Sequence, residues 1–173
     1  MVRGLGLVQV YTGDGKGKTT AALGLALRAS GQGLRVLFLQ FLKGYARCGE
    51  HRAVERCHLF EIVQPNRRSV FKMPPEQLRE QALAVLARAR EALQGRDYDL
   101  VILDEVLTAC KVGALQTSEI MGLIEGRREG VELVLTGRGA PPEVLAVADL
   151  ATEMTLIKHP YERGIKARKG IEY

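Results

Sequence analysis

The chain has no tryptophan, and aromatic residues make up only 5% of its 173 positions. Recognition of single-stranded nucleic acid by stacking needs aromatics interleaved with basic residues. No basic segment of that kind occurs, so nucleic acid is not expected as a partner. Cysteine is scarce and odd in number, three in all, which argues against a disulfide framework and suits a reducing compartment. The longest apolar runs fall far short of a bilayer crossing, and no charged segment followed by an apolar stretch opens the chain. No membrane partner and a cytoplasmic location are expected. Repeats and low-complexity linkers are also missing, so residues 1–173 read as one domain, long enough for a full core.

What is present is ordinary for a soluble globular protein: 46% hydrophobic and 26% charged residues. A net charge of +5 suits a polyanionic small ligand as well as it suits surface solvation. The densest positive charge lies at Arg67-Arg68 and across residues 158–169.

The most informative stretch is Thr12-Gly13-Asp14-Gly15-Lys16-Gly17-Lys18-Thr19-Thr20. A nearly continuous apolar run, residues 5–11, precedes it and reads as a buried parallel strand. An apolar-periodic segment follows and predicts a helix over residues 18–30, ended by Gly31 or Gly33. A glycine-rich turn between strand and helix is a phosphate cradle, because backbone N–H groups approach the anion closely and the helix start adds positive dipole. Lys18 is expected along the phosphate chain, and Thr19 to offer its hydroxyl to Mg²⁺. The pattern departs from G-x-x-x-x-G-K-[ST] at one point: Thr12 occupies the first glycine position, with Gly13 one place later.

Residues 35–42 read as a second strand, completing a strand–helix–strand unit. A short helix over 50–57 and a short strand over 59–63 are expected next. Cys48, His51, Cys57 and His58 lie there, but their spacing matches no common zinc site, and they read as small buried thiols and surface imidazoles. Pro75 opens an amphipathic helix over 75–93. The run Tyr98-Asp99-Leu100-Val101-Ile102-Leu103-Asp104-Glu105 is a buried strand that ends in two carboxylates. Open α/β sheets bind ligands at the carboxyl ends of their strands, so Asp104 and Glu105 can meet the Mg²⁺ held by Thr19. A helix over 118–127 precedes a strand over 131–136, which delivers Arg138 to the same edge, where an arginine suits phosphate oxygens. A short helix over 142–148 and a last strand over 154–158 complete an α/β fold with a mainly parallel central sheet flanked by helices.

With these elements placed, the sequence resembles the P-loop corrinoid (cob(I)alamin) adenosyltransferases. The doubled G-K of the loop, Gln40-Phe41-Leu42-Lys43-Gly44, Leu103-Asp104-Glu105, Leu135-Thr136-Gly137-Arg138 and the tail from Lys158-His159-Pro160-Tyr161 onward all match. Thr12 in the first loop position is normal for this family. The resemblance implies a three-layer P-loop fold and transfer of the 5′-deoxyadenosyl group of ATP to the cobalt of a reduced corrinoid, with release of triphosphate. It implies nucleotide contacts from Thr12, Gly13, Asp14, Gly15, Lys16, Gly17, Lys18, Thr19 and Thr20. Mg²⁺ contacts fall to Thr19, Asp104 and Glu105, and direct roles in the transfer to Lys18, Glu105 and Arg138. An electron-donor protein and a homodimer are further implications. The family's Phe-Thr-Trp segment at the corrin site is replaced here by Ser69-Val70-Phe71-Lys72-Met73, in which Phe71 keeps part of the apolar wall. Relatives with an N-terminal capping segment also differ, since this chain opens almost at its first strand. Two other readings fit the same loop: a generic P-loop ATPase or kinase, and a non-catalytic ATP-dependent corrinoid chaperone.

Overall fold

The computed structural model describes residues 4–44, 48–64 and 73–173. Its centre is a six-stranded sheet in the order β3-β2-β4-β5-β1-β6, parallel throughout. The strands are β1 (Val8–Thr12), β2 (Val36–Gln40), β3 (Glu61–Val63), β4 (Leu100–Asp104), β5 (Glu132–Thr136) and β6 (Leu150–Glu153). The helices are α1 (Lys18–Gly31), α2 (Gly49–Cys57), α3 (Pro75–Gln94), α4 (Val106–Lys111), α5 (Thr117–Glu125) and α6 (Pro142–Val147). A 3₁₀ turn, Pro160–Arg163, lies in the tail.

β2, β4 and β5 are buried along their whole length, because helices cover both faces of the sheet. Alternate residues take opposite sides. Val36, Phe38, Leu100, Ile102 and Val134 meet Ala22, Ala26 and Ala29 of α1. Leu37, Leu39, Val101, Leu103, Leu133 and Leu135 meet α3, α4 and α5 through Val85, Leu86, Leu107, Ile120 and their neighbours. The small alanines of α1 recur at helical spacing and let that helix settle closely on the sheet. This is the three-layer α/β arrangement expected from the sequence.

Apart from shifts of one or two residues at the ends of β2, β3, α5 and other elements, three elements differ from the sequence reading. β1 starts at Val8 because the preceding backbone is used otherwise: Gly6 N and Leu7 N donate to the Glu132 carboxylate at 2.9 and 2.8 Å. α4 was not anticipated, since six residues after two carboxylates carry too little periodicity to announce a helix. The last strand is Leu150–Glu153, parallel to β1, and replaces the strand expected over 154–158. The apolar pattern of Met154, Leu156 and Ile157 suggested a strand, yet Met154 crosses the loop after β1 and ends the pairing.

Candidate functional site

β1 and β4, which carry the phosphate loop and the carboxylates, are not neighbours; β5 lies between them. Because all strands run parallel, their carboxyl ends share one edge, and Thr136 at the end of β5 bridges the gap. Its hydroxyl donates to Asp104 Oδ1 at 2.7 Å and accepts from Glu105 N at 2.9 Å. Thr19 Oγ1, one residue into α1, donates to the same Asp104 Oδ1 at 2.9 Å. The loop and the acid strand therefore meet at this edge through Thr19 and Asp104.

α1 starts directly after Gly17, whose φ of 124° few residues besides glycine adopt. Gly17 at the N-cap gives the helix no side-chain cap, and its first turn holds no acidic residue, so among the described residues the amide donors there keep no side-chain partner. Donors and dipole face the cavity together.

The loop glycines have a second task. Segment 153–155 lies against the loop, with Gly15 N donating to Met154 O at 2.7 Å and Met154 N to Thr12 O at 2.9 Å. A Cβ on Gly13 would sit 2.5 Å from Met154 O, and one on Gly15 would sit 2.6 Å from it. Thr12 is tied to the same framework, its hydroxyl accepting from Ala140 N at 3.3 Å. Thr12 and Gly13 thus shape the loop from behind and do not line the cavity, whereas Asp14, Gly15, Lys16, Gly17, Lys18, Thr19 and Thr20 do.

That cavity has a volume of about 550 Å³. Lys18 is buried and folds over the loop, Nζ donating to Gly13 O at 2.6 Å and Gly15 O at 2.8 Å. Burial pulls its pKa below the ordinary lysine value; nearby Glu105 opposes the shift, and Arg138 adds to it. Glu105 stands in the left-handed region, φ 64°, at the start of α4, and its carboxylate accepts from the Thr108 hydroxyl. Strain of that kind in a residue with a side chain gathers at functional positions. Arg138 is half-exposed at the rim, 3.9 Å from Asp14, and its N–H donates to Thr108 Oγ1.

Several cavity residues carried no assigned role in the sequence. Lys43 places its ammonium 2.7 Å from Asp104 Oδ2 and 3.3 Å from Thr19 Oγ1. The tail folds back over the cavity with Ile171, Glu172 and Tyr173 on its wall, and Glu172 meets Lys16 at 2.9 Å. His159 also lines it, whereas Tyr161 is exposed outside. The motif Gln40-Phe41-Leu42-Lys43-Gly44 was the available signal for Lys43; nothing local announces the fold-back of the tail.

Phe71 and the pair Arg67-Arg68 lie outside the described residues. Cys48, Glu50 and His51 come together, with potential ligand atoms within 4.8 Å of one another. A local cap accounts for this: His51 Nδ1 accepts from Cys48 N at 3.2 Å, and the Cys48 side chain accepts from the His51 backbone. His51 is consequently buried rather than a surface imidazole. A second cavity, about 500 Å³ between α2 and β3, is lined by His51, Val54, Glu55, His58, Phe60, Glu61 and Ile62, none of them from the loop or the acid strand.

A family-wide sequence model described as "ATP:corrinoid adenosyltransferase BtuR/CobO/CobP" matches residues 4–173. Curated relatives include a corrinoid adenosyltransferase of Pseudomonas aeruginosa, 37% identical over 97% of this chain and 84% of that protein. A corrinoid adenosyltransferase of Sinorhizobium is 35% identical over 97% of this chain and 80% of its own. One of Escherichia coli is 33% identical over 97% and 86%.

Proposed function

The chain belongs to the ATP:corrinoid adenosyltransferase family, and from that membership we propose that it transfers the 5′-deoxyadenosyl group of ATP to the cobalt of a reduced corrinoid. Cobalamin or a precursor is the acceptor, in the formation or salvage of the adenosylated cofactor. The electron pair of Co(I) attacks C5′, the C5′–O bond breaks, and triphosphate leaves with that bond's electrons. The substrate supplies the nucleophile, so the protein's task is to place C5′ and to stabilise the leaving charge.

One observation carries this reading: Lys16, Lys18, Lys43 and Arg138 converge on the cavity fronting the uncapped start of α1. That charge is matched to a polyanionic leaving group. Lys18 would exchange its two carbonyl partners for phosphate oxygens, and Arg138 would bind at the rim. The oxygen donors Thr19, Asp104 and Glu105 fit Mg²⁺, a hard cation, and the buried Asp104 Oδ2 has no aligned hydrogen-bond donor of its own. Bound there, the ion would neutralise charge developing on the triphosphate. An electron-donor protein would supply Co(I). A homodimer is supported by the exposed edge strand β6, where Leu150 stands open to solvent with Leu156 and Ile157 close by in sequence. No helix among the described residues is long and apolar enough to cross a membrane. The proposed cytoplasmic location is supported instead by the three cysteines, an odd and small number that suits a reducing compartment.

The test is anaerobic incubation of the protein with ATP, Mg²⁺ and chemically reduced cobalamin. A light-sensitive adenosylated product is expected. Tight binding of both substrates without a cobalt–carbon bond would instead favour a carrier role.

A further inference from the structure

We propose that Lys43 is the built-in counter-ion of Asp104, holding the place of the divalent cation in the nucleotide-free protein and yielding it when the metal–nucleotide complex binds. This rests on the reading that Thr19, Asp104 and Glu105 hold Mg²⁺.

Asp104 is wholly inaccessible, at 0% exposure. A carboxylate removed from water without a compensating charge is very costly. Its Oδ1 is satisfied by two hydroxyls, those of Thr19 and Thr136. Its Oδ2 faces Lys43 Nζ at 2.7 Å, a contact of charge rather than an aligned hydrogen bond, because the approach meets no hydrogen-bond geometry. The same ammonium lies 3.3 Å from Thr19 Oγ1. One cation therefore touches both the hydroxyl and the carboxylate that would otherwise hold a metal ion.

The backbone supports such an exchange. Leu42 adopts φ 51°, turning the chain after β2, and Gln64 Nε2 donates to Lys43 O at 3.0 Å. The lysine's main chain is thus anchored while its side chain, 24% exposed, lies along the cavity wall. Lysine suits the task better than arginine, since an ammonium on a flexible stem is a point charge with no bidentate hold on its partner. When nucleotide and metal arrive together, the ammonium moves to phosphate oxygens as the metal takes its former partners. Metal arriving alone must displace the ammonium with no phosphate to receive it. Metal binding and nucleotide binding are thereby coupled.

The experiment is calorimetric titration of Mg²⁺ into nucleotide-free protein, with thermal unfolding as a second readout, for wild type, Lys43→Met, Lys43→Gln and Lys43→Arg. Wild type and Lys43→Arg should bind Mg²⁺ weakly. Both neutral variants should bind it at least about tenfold more tightly, within the usual range of site-to-site coupling, and should be less stable than wild type until Mg²⁺ is added. Adding Asp104→Asn to Lys43→Met should remove the gain. Equal Mg²⁺ affinity in wild type and the neutral variants would leave the metal site standing and overturn the role of Lys43. Absence of Mg²⁺ binding in all four proteins, with ATP as well as without, would overturn the metal reading and this proposal together. Neutral variants that stay unfolded even with Mg²⁺ would also overturn it, because the cation should replace the ammonium.

Discussion

Thr12 shows how much a single position can conceal. It stands where the common phosphate-loop pattern has glycine, and in the structure it holds Met154 through its carbonyl and Ala140 through its hydroxyl. The glycines behind it read as phosphate-binding residues, and Gly13 and Gly15 also make room for the backbone of segment 153–155. That second task was illegible beforehand, because the contact is made across more than a hundred residues of chain. Lys18 and Glu105, by contrast, were legible by motif, and both line the cavity. Replacing either with alanine is expected to lower adenosyl transfer by about 10²-fold or more, the usual cost of losing a group aimed at developing charge. Circular dichroism and the melting temperature should show the fold retained. Gly137→Ala should act differently. Its φ of 143° and a Cβ only 2.5 Å from Thr108 N force β5 and α4 apart. A stability loss of about 1–3 kcal/mol in denaturant unfolding is expected, with reduced activity because Glu105 and Arg138 both lean on Thr108.

Among the elements, those whose burial is uniform or strictly periodic could be read from sequence. β2, β4 and β5 are apolar throughout because they are covered on both faces, and α3 buries Ala82, Val85, Leu86, Ala89 and Leu93 at helical spacing. Short elements set by tertiary contact could not. α4 begins at a strained Glu105, and β6 pairs as an exposed edge strand whose own residues carry no apolar alternation. The helix that positions the phosphate loop depends on packing against the sheet, with Phe38 fully buried under it. Phe38→Ala should therefore cost about 3–5 kcal/mol, measured by chemical denaturation, and loosen nucleotide binding as α1 settles into the void.

At the scale of the whole molecule, two ion pairs brace neighbouring elements away from the site, one within the sheet and one within a helical layer. Arg35 holds Asp99 at the entrances of β2 and β4, and Arg79 of α3 holds Glu119 of α5. Hydrogen bonds from these arginines keep both carboxyls below their ordinary pKa values. A carboxyl with a depressed folded pKa contributes stability that is complete above its unfolded value, near pH 4, and is lost as the pH falls through the folded value. The melting temperature should accordingly drop below about pH 4. Glu119→Gln should melt lower at neutral pH yet show a shallower acid limb; an unchanged limb would contradict the assignment. The sheet order was the largest feature hidden from the sequence. Placing β5 between the loop strand and the acid strand makes Thr136 the bridge between them, and no local pattern reports which strands are neighbours.

The central claim is that this edge of the sheet holds triphosphate as a leaving group. It is tested most directly by identifying the phosphate product formed from ATP in the presence of Mg²⁺ and reduced corrinoid. Intact triphosphate, released one for one with the adenosylated corrinoid, is predicted. ADP and orthophosphate, with no cobalt–carbon bond formed, would contradict the account.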